Sequence, residues 1–193
     1  MAPPLLSALM TIAPHLVIQL NDVGTRSVVM GRDEAMVRCV EAGLELQFQF
    51  ETELCRKRSL WFDSCGGERK EIALLRYEPV SDVFIVRRDR FGDGREGTVA
   101  RFMSAEDGLN EASVSNPFLY TTLAGDKEKL LSSERRYLRA RTVVSCKEER
   151  DRTLDRVTEG LTFGLVKRDG FDSGWKERKV EGSSEIDGKK MEK

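Results

Sequence analysis

The chain has 193 residues, with 32 basic and 33 acidic side chains, a net charge of −1 and 39% hydrophobic residues. That length and apolar fraction suit one globular domain able to bury its own core, and they exclude a disordered chain. Near-neutrality excludes a global field drawing in nucleic acid or a membrane surface, so any binding patch must be local.

From Met1 to Asn21 there is no Asp, Glu, Lys or Arg, and "LLSALMTIA" (residues 5–13) is an apolar run too short to span a bilayer. It lacks the basic flank of a secretory signal, so residues 1–14 are read as a packed apolar terminus or the remnant of a signal or anchor. "HLVIQLN" and "RSVVM" read as a first pair of strands joined by the turn "NDVG". In "RDEAMVRCVEAG", Asp33 and Glu34 sit in a first helical turn, Ala35, Met36, Cys39 and Val40 share a face, and Gly43 stops the helix.

"LELQFQFETEL" carries the strongest signal: Leu44, Leu46, Phe48, Phe50 and Leu54 alternate with Glu45, Gln47, Gln49, Glu51 and Glu53. A period of two over this length is a half-buried strand with one wet face, which belongs to an antiparallel sheet. After a loop "FDSCGGE", the segments "EIALLRYE" and "DVFIVRRD" read as a hairpin turning at Pro79, Val80 and Ser81, and "TVARFM" as a further strand. Ser104 followed by Asp107 forms a capping box for a short helix reaching about Ser113. A possible helical turn "KEKLL" precedes the long strand "RRYLRARTVVSC"; "EERDRTLDRVTE" is a charged connection, and "GLTFGLVKR" a last strand before "GFDSGW". Residues 15–181 thus form a single β-rich domain, and the polar residues 182–193 a disordered tail. The fold expected is mainly β: an antiparallel β-sandwich, immunoglobulin-like in general architecture, of about eight strands with two or three short connecting helices.

Chemical motifs are few. Gly92, Gly94 and Gly97 match G-x-G-x-x-G, but Arg87, Arg88, Asp89 and Arg90 precede them and the strand-like Thr98–Phe102 follows. Pro117 and Phe118 stand where a ribose-binding acid belongs, so the motif reads as a glycine-rich hairpin loop rather than a dinucleotide site. The single histidine, His15, has no G-x-S-x-G, S-x-x-K or H-E-x-x-H context, and no segment has calcium-loop spacing. Cys39, Cys55, Cys65 and Cys146 contain no C-x-x-C pair, which argues against a zinc knuckle or thioredoxin-type motif. Free buried thiols are the expectation, and one or two disulfides after export the alternative. Neither a catalytic residue nor a cofactor or metal site is expected.

The alternating strand, the aromatic pair Trp61-Phe62 before Asp63, "ARFMSAEDGLNEA", "RRYLRARTVVS" and "GLTFGLVKRDGFDSGW" together resemble the bacterial family called domain of unknown function 4390. The resemblance covers roughly Leu16 to Val180. It implies a small β-rich domain led by a signal peptide or anchor, hence periplasmic or membrane-associated and facing the periplasm, and it brings no assigned activity. The weak N-terminal run and the four cysteines depart from the family pattern.

The function expected is a non-enzymatic, envelope-side interaction or accessory module with a protein partner, not nucleic acid, and no transmembrane span. Its candidate surface is Arg56, Arg58, Trp61 and Phe62, since tryptophan beside arginine has hot-spot composition. The packing alternative is that Trp61 and Trp175 cap the ends of the core. The alternative function is a cytoplasmic nucleic-acid- or anion-binding domain using Arg135, Arg136, Arg139 and Arg141. Against it stands the bland possibility that these arginines pair with the Glu45–Glu51–Glu53 face across the sheet. An enzyme with an unrecognised site is the third reading.

Overall fold

The computed structural model describes residues 13–21, 24–32, 34–58, 62–90, 97–124, 135–147 and 170–180. Within them a hairpin of β1 (His15–Asn21) and β2 (Gly24–Met30) forms a small sheet, followed by α1 (Glu34–Glu41). The remaining strands are β3 (Glu45–Arg56), β4 (Ser64–Glu78), β5 (Val83–Arg90), β6 (Thr98–Phe102), β7 (Arg136–Lys147), β8 (Gly170–Asp172) and β9 (Lys176–Lys179). They make an antiparallel sheet in the order β6-β5-β4-β3-β7-β8, with β9 also pairing β7. Between β6 and β7 come α2 (Ala105–Ala112) and a 3-10 turn, Tyr120–Ala124.

The protein is therefore mainly β, with two antiparallel sheets packed as an asymmetric sandwich. The β1–β2 hairpin, extended by bridges from Val114 and Phe118 to β2, shares the second layer with α1 and α2. Leu46, Phe48 and Phe50 of β3, Ala73 and Leu75 of β4 and Val144 of β7 meet Leu16, Ile18 and Val29 of the hairpin. Met36, Cys39 and Val40 of α1 and Leu109 of α2 complete this core. A smaller cluster at one end joins Leu54, Phe118, Leu123, Leu138 and Val180. The layers are also tied at β9, where Arg178 donates to the Ile18 carbonyl.

Local chemistry accounts for the elements. Gly43 ends α1 with φ +70°, a conformation open to glycine at little cost. Ser104 caps α2 by accepting from the Asp107 N–H at 3.1 Å while its hydroxyl donates to the Asp107 carboxylate. Gly108 lies mid-helix because α2 presses onto the sheet: a Cβ there would meet Leu75 Cδ1 at 2.9 Å. The β4–β5 hairpin turns through Asp82 at φ +52°, one residue beyond the expected turn. The segment carrying the dinucleotide-like glycines joins two paired antiparallel strands, β5 and β6, as a hairpin connection does.

Two expectations are corrected. "FDSCGGE" is not wholly loop: β4 begins at Ser64 and runs through Gly66 and Gly67. The cysteines are not free: Cys39 joins Cys146 and Cys55 joins Cys65. Both pairs bridge positions distant or out of phase in sequence, so spacing could not reveal them. The apolar N-terminal run, Trp61, "KEKLL", "EERDRTLDRVTE", "GLTFGLVKR" and the polar tail lie outside the described residues. No helix among the described residues is long and apolar enough to cross a membrane.

Candidate functional site

The outer face of the large sheet is less wet than the β3 alternation implies. Gln47 is buried, and Ile72, Leu74 and Val143 on the same face are half-buried, because neighbouring strands shade a central strand. Polar chemistry gathers instead towards the end where β3 leads into β4.

A β-bulge builds that end. From Glu53 opposite Glu68, the pairing resumes with Cys55 opposite Cys65, so β4 uses an additional residue there. The bulge contains Gly66 and Gly67, and Gly67 lies so close to the 3-10 turn that a Cβ would stand 2.9 Å from the Leu123 carbonyl oxygen. The extra residue turns Cys65 onto the same face as Cys55, whose Cα is 4.0 Å away, and the disulfide closes the strand ends. Without the bulge Cys65 would point to the core side.

Around this staple, β3 and β7 place opposite charges in register. Glu53 faces Arg139, whose Nη2 lies 2.6 Å from Oε2, and Glu51 faces Arg141. Arg141 also donates through Nε to Asp172 Oδ1 at 2.9 Å, anchoring β8. Trp175 lies under the Arg139 guanidinium at 4.6 Å, a cation–π contact. It is 39% exposed on the outer face and does not cap the core, correcting the packing alternative for this residue.

The loop after β3 is held by several ties. Tyr137, opposite Cys55, donates its hydroxyl to Asp63 Oδ2 at 2.5 Å, and the Arg58 N–H donates to Asp63 Oδ1 at 3.2 Å. These hydrogen bonds, the Tyr137 one foremost, hold the Asp63 carboxyl below the usual carboxylate range. Burial, reinforced by Asp63, pushes the Tyr137 phenol up. Lys57 Nζ lies 3.2 Å from Glu177 and 5.2 Å from the Tyr137 ring centroid.

Of the candidate surface, Arg56 is half-buried at the end of β3, and Arg58 is exposed. Phe62 is 94% exposed, directly before the anchored Asp63. On the alternative anion-binding strand, Arg139 and Arg141 are bonded to Glu53 and Asp172, and Arg136 is half-buried with its Nε enclosed. Of the cross-strand pairing read from the sequence, Arg139–Glu53 is present, while Arg141 takes Asp172 of β8 and Glu51 takes Lys70 of β4. Arg135 stands beside β7, its carbonyl accepting from the Lys57 N–H.

Two other places enclose polar groups. A cavity of about 270 Å³ between β2, α1 and α2 is lined by Met36, Phe48 and Leu109, and among the described residues Arg32 is its one ionisable lining side chain, bonded to Asn110. Glu71, 1% exposed, accepts from Arg88 Nη1 and from the Asn116 N–H, each at 2.9 Å, and Arg88 also donates to the Glu111 carbonyl. This buried pair joins β4, β5 and α2, and sequence reasoning missed it. Glu71 falls in phase with the core residues Ala73 and Leu75, which was the available signal.

No protein-family model, curated protein or solved structure matches this chain.

Proposed function

We propose that this chain is a non-enzymatic interaction module working outside the cytoplasmic membrane, using the loop after β3 to contact a protein partner. The observation that carries the reading is Phe62: 94% exposed, yet next to a residue bonded to both Tyr137 and Arg58 and inside a loop closed by Cys55–Cys65. An aromatic side chain presented on a constrained base loses little conformational freedom on binding, which is how anchor residues contribute affinity. Arg58 and the half-exposed Trp175 supply the flanking chemistry found at hot spots. Two disulfides suit an oxidising compartment, and the resemblance to the bacterial family of unknown function 4390 points to the same side of the membrane.

The test is a photo-crosslinking side chain at position 62 in the producing cell, with position 80 as control because Val80 is 98% exposed in the distant β4–β5 turn. A discrete adduct at 62, absent at 80 and weakened by Arg58→Ala, is the expected result. Equal or absent adducts at both positions would remove the reading.

A further inference from the structure

The β3–β4 end holds three metal-ligating side chains that sequence spacing scatters. Glu53, Cys55 and Cys65 each direct a donor atom into one region, and these atoms all lie within 4.8 Å of one another. We propose that, once the Cys55–Cys65 disulfide is reduced, these residues form a three-ligand site for a zinc-class divalent metal.

Geometry supports the assignment. Tetrahedral zinc with Zn–S near 2.3 Å and Zn–O near 2.1 Å sets sulfur and oxygen about 3.6 Å apart and two sulfurs about 3.8 Å apart. Cys55 Sγ already lies 3.9 Å from Glu53 Oε2. The Cα atoms of Cys55 and Cys65 are 4.0 Å apart on paired strands, so side-chain rotation alone opens the sulfurs to the required separation. The bulge at Gly66–Gly67 brings both sulfurs to one face, the kind of re-aiming bulges perform beside sites.

Charge supports it as well. Two thiolates and the Glu53 carboxylate carry three negative charges, and Arg139, 2.6 Å from Glu53 Oε2, offsets one. The remainder matches a divalent cation. Arg139, bonded through Nε at 2.8 Å and Nη2 at 2.6 Å to the same Oε2 that faces Cys55, fixes the orientation of the carboxylate, as outer-shell partners of metal ligands do. Thiolate donors select zinc, cobalt or copper(I) over magnesium and calcium. The site lies on the outer face, where Cys65 is half-exposed, leaving the fourth position to water.

The chemistry balances with a dithiol as reductant. Its two thiols become a disulfide, Cys55–Cys65 takes up two electrons and two protons, and metal binding then displaces those two protons from the thiols. The same strand ends are stapled by sulfur–sulfur bonding when oxidised and by metal when reduced.

The experiment titrates Co²⁺ into the full chain, oxidised and after phosphine reduction. The reduced chain is expected to take up one equivalent with a thiolate-to-cobalt charge-transfer band, release two protons, and exchange the cobalt for one equivalent of Zn²⁺ but not Mg²⁺. The oxidised chain, with the same fold and no free sulfur, shows no band. C55A/C65A abolishes it although Cys39 and Cys146 remain, and E53Q weakens binding by roughly tenfold or more. A reduced chain that takes up no cobalt, folded or not, overturns the proposal. So does a band that persists in C55A/C65A, or an E53Q chain that binds as tightly as the parent.

Discussion

Removing the two disulfides separately should cost unequal amounts, and the order follows from loop length alone. Cys39–Cys146 joins residues 107 apart and Cys55–Cys65 residues 10 apart. Cross-linking removes denatured-state entropy that grows with the logarithm of the loop, so the long link contributes about 4.8 kcal/mol and the short one about 2.7 kcal/mol. Alanine is the right replacement, since Cys39 and Cys55 are buried and serine would leave a hydroxyl without a partner. At about 2–4 °C per kcal/mol for a chain of this size, C39A/C146A should melt roughly 10–19 °C lower and C55A/C65A roughly 5–11 °C lower. Non-reducing guanidinium unfolding followed by tryptophan fluorescence measures both on one scale. If C55A/C65A proves as costly as C39A/C146A, or more so, loop entropy is not what these links supply and the reasoning fails.

Other consequences are equally direct. Glu71→Ala takes away the buried carboxylate of Arg88, leaving only the half-exposed Glu111 at 3.1 Å, and should cost about 3 kcal/mol in chemical unfolding; a loss under about 1 kcal/mol would show that the buried pair is not formed. Phe62→Ala should leave stability unchanged within about 0.5 kcal/mol, and a large drop in melting temperature would mean the ring packs rather than contacts a partner. The Arg141 hydrogen bond, first, and the Gly174 N–H hold the Asp172 carboxyl below its ordinary 3.8. The stability it contributes is therefore complete above pH 3.8 and lost as pH falls through the lower folded value, and Asp172→Asn should flatten that part of a melting-temperature-against-pH profile. Tyr137 is shifted the opposite way, upward from 10, by burial and then by Asp63. Its contribution is complete below pH 10 and lost as pH rises through the folded value; an alkaline limb identical in Tyr137→Phe would contradict this.

The sheet was legible wherever side chains follow the pleat. Alternation along 44–54 located β3, the Pro79–Ser81 break located the β4–β5 hairpin near its true turn, and Ser104 with Asp107 located α2. The opposition of Arg139 and Arg141 to Glu53 and Glu51 was legible because both strands keep phase over their whole pairing. What escaped depends on broken phase or on long-range contact. One extra residue at Gly66–Gly67 turns Cys65 to the other face, and nothing in "SCGGE" distinguishes that bulge from a loop. The pairing of Glu71 with Arg88 had no local sign, because their compensation comes from each other and from α2, remote in the chain. Cys39 and Cys146 sit on different elements, α1 and β7, that only tertiary packing brings together. Within the candidate surface, Arg58 and Phe62 are exposed and Arg56 is half-buried; the tie through Tyr137 and Asp63 gave no local sign.

The stapled surface and the proposed placement outside the cytoplasmic membrane both rest on the disulfides existing where the protein works. Protein taken from its producing cell, denatured in chelator without reductant, alkylated and mapped by mass spectrometry answers this most directly. The account predicts that Cys55 and Cys65 resist alkylation as one cross-linked peptide pair, and Cys39 and Cys146 as another. Immediate alkylation of all four thiols would contradict it.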